Sequence, residues 1–275
     1  MRNSVVFITG ASSGIGAALA REVVRRGADV ALAARRTDRL EALAKELTAD
    51  GRRAIVLACD VTRDGDLEAA AARTREAFGR IDVVIANAGF GVVGQARTLT
   101  LADYRRQFET NVFGVLRTLY ATLGDLERAR GSFVIMGSVS GHLATPGGSP
   151  YAMSKFAVRA LAEALRHELR PAGVAVTLIS PGFVESEIRL VDNQGRLRAE
   201  APDVVPGWLR MPASRAARTI ATAIERRRRE VVVTGHGKAL VFVARHLSGL
   251  MSALVGLSGY LGRENPGMGE RRERR

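Results

Sequence analysis

A tyrosine and a lysine stand four residues apart in SPYAMSKFAV, Ser149 to Val158. On a helix, positions i and i+4 share one face, with Cβ atoms about 5–6 Å apart. A free phenol titrates near ~10, and an adjacent ammonium favours its phenolate form. Tyr151 and Lys155 are therefore a candidate pair for general acid–base work. A helix that merely carries one Tyr and one Lys would show the same spacing, so other residues must decide.

A second group follows the first apolar run. TGASSGIG places Gly10, Gly14 and Gly16 directly after Val5–Thr9 and ahead of a helical pattern. Glycines there permit a tight turn, let backbone approach a pyrophosphate and allow the helix to pack on the strand. The helix N-terminus then turns unpaired N–H groups and its positive dipole end toward phosphate. The plainer alternative is a glycine-rich turn that binds nothing.

These groups need elements to hold them. Strands are expected at Val5–Thr9, Val30–Ala34, Ala54–Cys59, Val83–Ala86, Phe133–Met136, Val174–Ile179 and Val231–Thr234. Their apolar runs are continuous, as in sheets covered on both faces. Helices are expected at Ala17–Arg26, Arg39–Asp50, Leu67–Phe78, Leu101–Leu119, Tyr151–Leu169 and Ala213–Arg229, with a Thr100/Asp103 capping box opening the fourth. Regular β-α-β alternation predicts an α/β fold: one doubly wound parallel sheet of about seven strands with helices on both faces.

Composition narrows the function. With 275 residues, 47% of them hydrophobic, the chain is long enough for a large buried core. A single cysteine, Cys59, excludes an internal disulfide and any multi-cysteine metal site. Four histidines without an H-E-x-x-H motif make a metal site unexpected. Lys and Arg number 41 against 28 Asp and Glu, a net +13. That balance suits nucleic acid, an anionic membrane or an anionic cofactor. However, the arginines are scattered, no nucleic-acid-binding motif accompanies them, and only 5% of residues are aromatic. No nucleic-acid partner is expected. The N-terminus reads as a strand rather than a signal peptide, so a cytoplasmic protein is the default.

Taken in order, the motifs resemble the short-chain dehydrogenases/reductases. Thr9 to Gly16 match the family's T-G-x-x-x-G-x-G, and Asn87, Ala88 and Gly89 match its N-A-G after strand four. Asn111 in ETNVFG, Ser138 in IMGSVSG, Tyr151 and Lys155 match its catalytic set, and Pro181–Gly182 its P-G after strand six. The resemblance spans Ser4 to about Thr234. It implies a Rossmann-like catalytic domain over 1–234 that acts on a small carbonyl/alcohol substrate, and a homo-oligomer, dimer or tetramer. It further implies that Ser138 holds the substrate oxygen, that Tyr151 transfers the proton and that Lys155 lowers the Tyr151 pKa and binds the nicotinamide ribose. Asn111 would support a water leading to Lys155. Cofactor contacts are implied for Gly10, Ser12, Ser13, Gly14, Ile15, Gly16, Asp60, Val61, Asn87, Ala88, Gly89, Tyr151, Lys155, Pro181, Gly182, Val184 and Ser186. Asp60 could equally cap the next helix.

The expected cofactor is NADP(H). NAD-preferring folds end strand two with an acid that binds the adenosine ribose. Here that position is Ala34, followed by Arg35 and Arg36, whose guanidinium forks suit a ribose 2′-phosphate. The long segment at about 183–211 is the expected lid, with Leu143, Val191, Trp208 and Leu209 as apolar pocket or lid-packing candidates and a lipophilic carbonyl as the substrate. His142, four residues after Ser138, is a pocket-lining candidate or, as loop histidines more often are, an exposed residue. Beyond Gly235 the alternation stops. Residues 235–275 read as an amphipathic helical hairpin with a basic tail, Arg263 and RRERR. Its 239–275 stretch could dock on a membrane interface or pack on its own domain or a second subunit.

Overall fold

The computed structural model describes residues 1–48, 51–198, 203 and 205–261. Seven strands form one parallel sheet: β1 Val5–Thr9, β2 Asp29–Ala34, β3 Ala54–Ala58, β4 Val83–Ala86, β5 Ser132–Met136, β6 Ala175–Ser180 and β7 Glu230–Val232. Their spatial order is β3-β2-β1-β4-β5-β6-β7. The doubly wound, Rossmann-like α/β fold is as expected. Phe7 and Ile8, adjacent on β1, belong to separate apolar clusters on the two sides of the sheet. This two-sided burial is why the strand runs are apolar throughout. The order reverses between β1 and β4, and in such sheets the crevice at the carboxyl ends beside that switch point receives ligands.

Nine helices among the described residues surround the sheet: α1 Gly14–Arg25, α2 Thr37–Thr48, α3 Asp66–Phe78, α4 Leu101–Phe108, α5 Gly114–Ala129, α6 Ser149–Glu168, α7 Ala213–Glu225, α8 Gly235–His246 and α9 Ser248–Leu261. The Thr100/Asp103 capping box is present at α4. One element departs from expectation. The single helix expected over Leu101–Leu119 is divided by a π turn at Glu109–Phe113, with Asn111 inside it. Such turns are rare and often lie at functional sites. The apolar period runs through ETNVF without a breaker, so the pattern alone did not reveal the insertion.

The helices α8 and α9 follow β7 one after the other. The Thr234 hydroxyl caps α8 by accepting the Gly237 N–H at 3.2 Å. Val241 and Met251 are buried, whereas Leu240, Phe242, Leu247 and Leu250 are exposed. Among the described residues no helix is long and apolar enough to cross a membrane. Arg263 and the terminal RRERR lie outside the described residues.

Candidate active site

A cleft of about 410 Å³ runs across the carboxyl ends of the sheet. Every residue that the sequence nominated for cofactor contact lines it, from the glycine turn to Ser186, and so do Ser138, Tyr151 and Lys155. Asn111 is the exception. It lies behind the wall, 1% exposed.

The glycine turn is built for close approach. Gly10 and Gly14 have φ of +65° and +54°, where L side chains are strained. A Cβ on Gly16 would lie 2.4 Å from the Gly10 carbonyl oxygen and 2.6 Å from the Asn87 amide nitrogen. Asn87 braces this turn from β4, donating from Nδ2 to the carbonyls of Thr9 at 2.9 Å and Gly10 at 3.1 Å. Ser13 occupies the N-cap of α1 in extended backbone, yet its side chain makes no cap bond. Its Oγ instead accepts Arg36 Nη2 at 2.7 Å. The first-turn N–H groups of α1 thus lack a capping side chain, and no acid lies in that turn. Glycines without Cβ, an uncapped helix N-terminus and nearby guanidinium groups fit a dinucleotide pyrophosphate.

Beside the glycine turn, β2 finishes at buried Ala34. Arg35 is exposed, its Nη1 3.9 Å from the Asp60 carboxylate. Arg36 lies over the glycine turn, bonding Ser12 as well as Ser13. Asp60 is partly committed to its own loop, where Oδ1 accepts the Thr62 N–H at 3.0 Å and hydroxyl at 2.8 Å. The N-cap of α3 is Gly65, so Asp60 does not cap that helix. Neighbouring Cys59 is buried, which together with Asp66, Asp60 and Glu68 pushes its thiol up to about 12. It remains a neutral thiol.

At the other end, α6 presents Tyr151 and Lys155 on one face, with Lys155 Nζ 5.6 Å from the Tyr151 ring centroid. Lys155 is 5% exposed and donates to the Met136 carbonyl at 2.8 Å. Burial lowers its pKa to about 8. The Tyr151 phenol moves opposite to the sequence expectation. Burial raises its pKa above the ordinary value, and the Ser138 hydrogen bond and the Arg189 charge only partly offset this. The spacing revealed the ammonium but not the desolvation around the phenol, although Tyr151 as a whole keeps partial exposure at the cleft.

Asn111 has its side chain fully engaged. Oδ1 accepts the Phe90 N–H at 3.2 Å, and Nδ2 donates to the Phe90 carbonyl at 3.0 Å and to Ser154 Oγ at 3.1 Å. Ser154 in turn donates to the Tyr151 carbonyl at 2.7 Å. The amide therefore fastens the β4 loop to the helix that carries Tyr151 and Lys155.

The segment expected to form the lid is tied down at several points. Asn193 exchanges two hydrogen bonds with the Val93 backbone, 3.0 and 2.8 Å, and accepts Arg106 Nη1 on its carbonyl at 2.8 Å. Arg189 grips Asp203 with two bonds of 2.8 Å, and Arg210 adds a third at 2.9 Å. Of the four apolar candidates only Val191 lines the cleft. Trp208 is 84% exposed, so it is neither pocket wall nor lid packing in this structure. Leu143 and Leu209 are half-buried away from the cleft.

His142 is likewise not an exposed loop residue. It is buried, with Nε2 3.1 Å from Glu230 and 3.2 Å from Ser180 Oγ. Its hydrogen bond, opposed by burial and reinforced by Arg245, holds the Glu230 carboxyl down at about 2. These partners come from β6, β7 and α8, which local sequence could not bring together.

Sequence reasoning also passed over several cleft residues: Phe90, Arg106, Glu187, Ile188, Arg189 and Gln194. Arg39, which lines the neighbouring surface groove rather than the cleft, was missed too, although it follows Arg36 at i+3 spacing. Among the described residues no group of three His, Cys, Asp or Glu could hold a metal ion.

Comparison with known proteins agrees with this geometry. A family model described as short chain dehydrogenase matches residues 4–196. An uncharacterized oxidoreductase of Myxococcus xanthus is 40% identical over 195 residues, 70% of this chain and 77% of that one. The mouse dehydrogenase/reductase SDR family member 7B is 30% identical over 256 residues, covering 90% of this chain and 78% of the relative. Glycine betaine reductase ATRR of Emericella nidulans is 36% identical over 68% of this chain, which spans 15% of that much longer protein. A Sphingobium yanoikuyae short-chain dehydrogenase solved with NADPH superposes with TM-score 0.73 at 29% identity, over 98% of each chain. A Burkholderia phymatum relative solved with NAD gives 0.78 at 28% identity, over 88% and 92%. The chain belongs to the short-chain dehydrogenase family.

Proposed function

We propose that the protein is an NADP(H)-dependent oxidoreductase interconverting a carbonyl and an alcohol. The observation that carries this reading is the convergence of Ser138, Tyr151 and Lys155 at one end of a cleft whose other end is lined by Arg35 and Arg36. A nicotinamide cofactor held in this cleft would supply the hydride chemistry at the carbonyl carbon.

The chain's own residues handle the oxygen and its proton. Ser138 holds the carbonyl oxygen against the Tyr151 phenol, a preorganised donor for charge that develops there. Tyr151 donates its O–H proton to that oxygen in reduction and accepts it back in oxidation. A phenol raised by burial is fully protonated at neutral pH, which suits the acid role. Lys155, anchored on the Met136 carbonyl, places positive charge beside the ring and favours the phenolate left behind. Asn111 acts through position, holding Phe90 and the start of α6. It lines no part of the cleft with its side chain.

Phe90, Ile188, Val191 and Leu197 line the cleft, supporting a lipophilic carbonyl. Arg35 and Arg36, with no acid at position 34, support NADP(H). The Sphingobium relative solved with NADPH agrees with that reading, although the Burkholderia one was solved with NAD. The expected result is a kcat/KM at least about tenfold higher with NADPH than with NADH, equivalent to ~1.4 kcal/mol. A higher efficiency with NADH would overturn the cofactor assignment.

Two surface readings accompany this one. Phe113, Tyr120, Met153 and Phe156 are exposed on the α5 and α6 region, which supports a homo-oligomer. Exposed Leu240, Phe242, Leu247 and Leu250, followed by a basic terminus, support peripheral membrane contact through 239–275. Sedimentation of the full chain with and without anionic lipid vesicles checks both. The expected outcome is a dimer or tetramer that co-sediments with vesicles at low salt. A monomer removes the first reading, and protein that stays in the supernatant removes the second.

A further inference from the structure

The lid places an acid against the arginines of the adenosine end. Glu187 opens the short 3-10 turn Glu187–Leu190. Its Oε2 accepts Arg36 Nη1 at 2.9 Å, and its Oε1 accepts Arg39 Nη1 at 2.7 Å. Burial alone would raise its pKa; the bonds from Arg39 and Arg36 more than offset this and hold it below the ordinary glutamate value. Glu187 is thus a full negative charge at neutral pH. The contact is also tight sterically: a Cβ on Gly14 would lie 3.0 Å from the Cβ of Ser186, the residue before Glu187. This part of the lid lies directly on the phosphate-binding turn.

We infer that Glu187 is a lid-borne competitor of the ribose 2′-phosphate: braced by Arg39, it holds Arg36 until the phosphate takes that guanidinium, and the exchange releases this end of the lid. The inference rests on the NADP(H) reading above. Two negative groups cannot share that guanidinium without repulsion, so arrival of a phosphate must expel the carboxylate. Arg36 is prepared for the exchange, because Ser12 and Ser13 keep their hold on its guanidinium when Glu187 leaves. The carboxylate has somewhere to go. A surface groove lined by Ser13, Arg39, Glu185 and Glu187 opens beside the contact. The turn that Glu187 begins also carries Ile188 and Arg189 into the cleft, and Arg189 is tied through Asp203 to Arg210. A 2′-phosphate would therefore be sensed at the substrate end as well. A cofactor without that phosphate leaves Glu187 on its arginines.

The test uses two fragments that stop short of the nicotinamide, adenosine 2′,5′-bisphosphate and adenosine 5′-monophosphate. Their binding to the full chain is measured by calorimetric titration, for wild type and Glu187→Gln. Trp208, the single tryptophan, stands in the lid and supplies a fluorescence readout independent of catalysis. Wild type should prefer the bisphosphate. Glu187→Gln should bind it about 3- to 10-fold more tightly, as removal of partly exposed ion pairs implies, with the monophosphate changed less than about twofold. The bisphosphate should shift Trp208 emission in wild type, and the unliganded variant should already be shifted. Glu187→Asp, which withdraws the acid by one methylene, should fall between the two and serves if the glutamine variant folds poorly. If wild type prefers the bisphosphate but Glu187→Gln binds it no more tightly, the competition is refuted while NADP(H) preference stands. If wild type binds the two fragments equally, the NADP(H) reading fails and takes this inference with it.

Discussion

Tyr151→Phe should lower kcat for carbonyl reduction about 10³-fold, within the 10²–10⁴ range of a positioned acid, while NADPH affinity changes less than about twofold. The change is local. The substitution removes one oxygen and leaves the ring, whose neighbours are Gly91 along the loop and Lys155 across the helix face. The Lys155–Met136 bond and the Asn111–Phe90 bonds do not involve the phenol, so the frame of the site survives. Only the proposed proton donor is lost. Stopped-flow kinetics beside a binding titration separates the two effects. Retention of most of kcat would mean that the proton comes from elsewhere.

Lys155→Met should divide activity from stability. Activity should fall by about 10²–10³-fold, because the phenolate loses its neighbouring positive charge. The fold should nevertheless become more stable at pH 7. Lys155 is a buried ammonium with a carbonyl but no carboxylate beside it, and burial lowers its pKa to about 8. In the unfolded chain a lysine titrates near ~10.4. Below pH 8 both states are protonated and the folded state bears the full cost of the buried charge. Between about 8 and ~10.4 the folded state loses its proton first, so wild-type stability from this group rises with pH. Methionine fills similar volume without charge. After allowing for the lost Met136 bond, a net gain of about 1 kcal/mol corresponds to roughly 2–4 °C in Tm for a chain of this size. The Tm advantage of the variant should shrink toward pH 10. A variant less stable at every pH would show that Lys155 is structural rather than a functional charge held at a cost to stability.

What the sequence made legible was whatever local pattern controls. The bounds of β1 and β4 were read residue for residue, since short apolar runs between turns leave little freedom. The glycine turn, Asn87, Ser138, Tyr151 and Lys155 all follow strands or open helices, so fixing the elements fixed their gathering at one edge. What stayed hidden depends on partners distant in the chain. The Glu187 contact joins residues 151 apart to Arg36, and the His142 cluster draws on three later elements. The π turn at Asn111 changes hydrogen bonding without changing the apolar pattern. The upward push of burial on the Tyr151 phenol comes from packing that Tyr–Lys spacing does not report. Trp208 misled for a related reason: a large apolar side chain in a lid need not face inward.

The cleft is proposed to move a hydride and a proton between NADPH and a carbonyl. The most direct measurement is single-turnover mixing of the purified full chain and NADPH with a panel of lipophilic ketones and aldehydes. Loss of the reduced nicotinamide absorbance is followed together with alcohol formed. The predicted result is reduction of at least one member, one alcohol per NADPH consumed, with NADH slower. Binding of NADPH without reduction of any carbonyl would contradict the account and favour a nucleotide-binding protein without turnover.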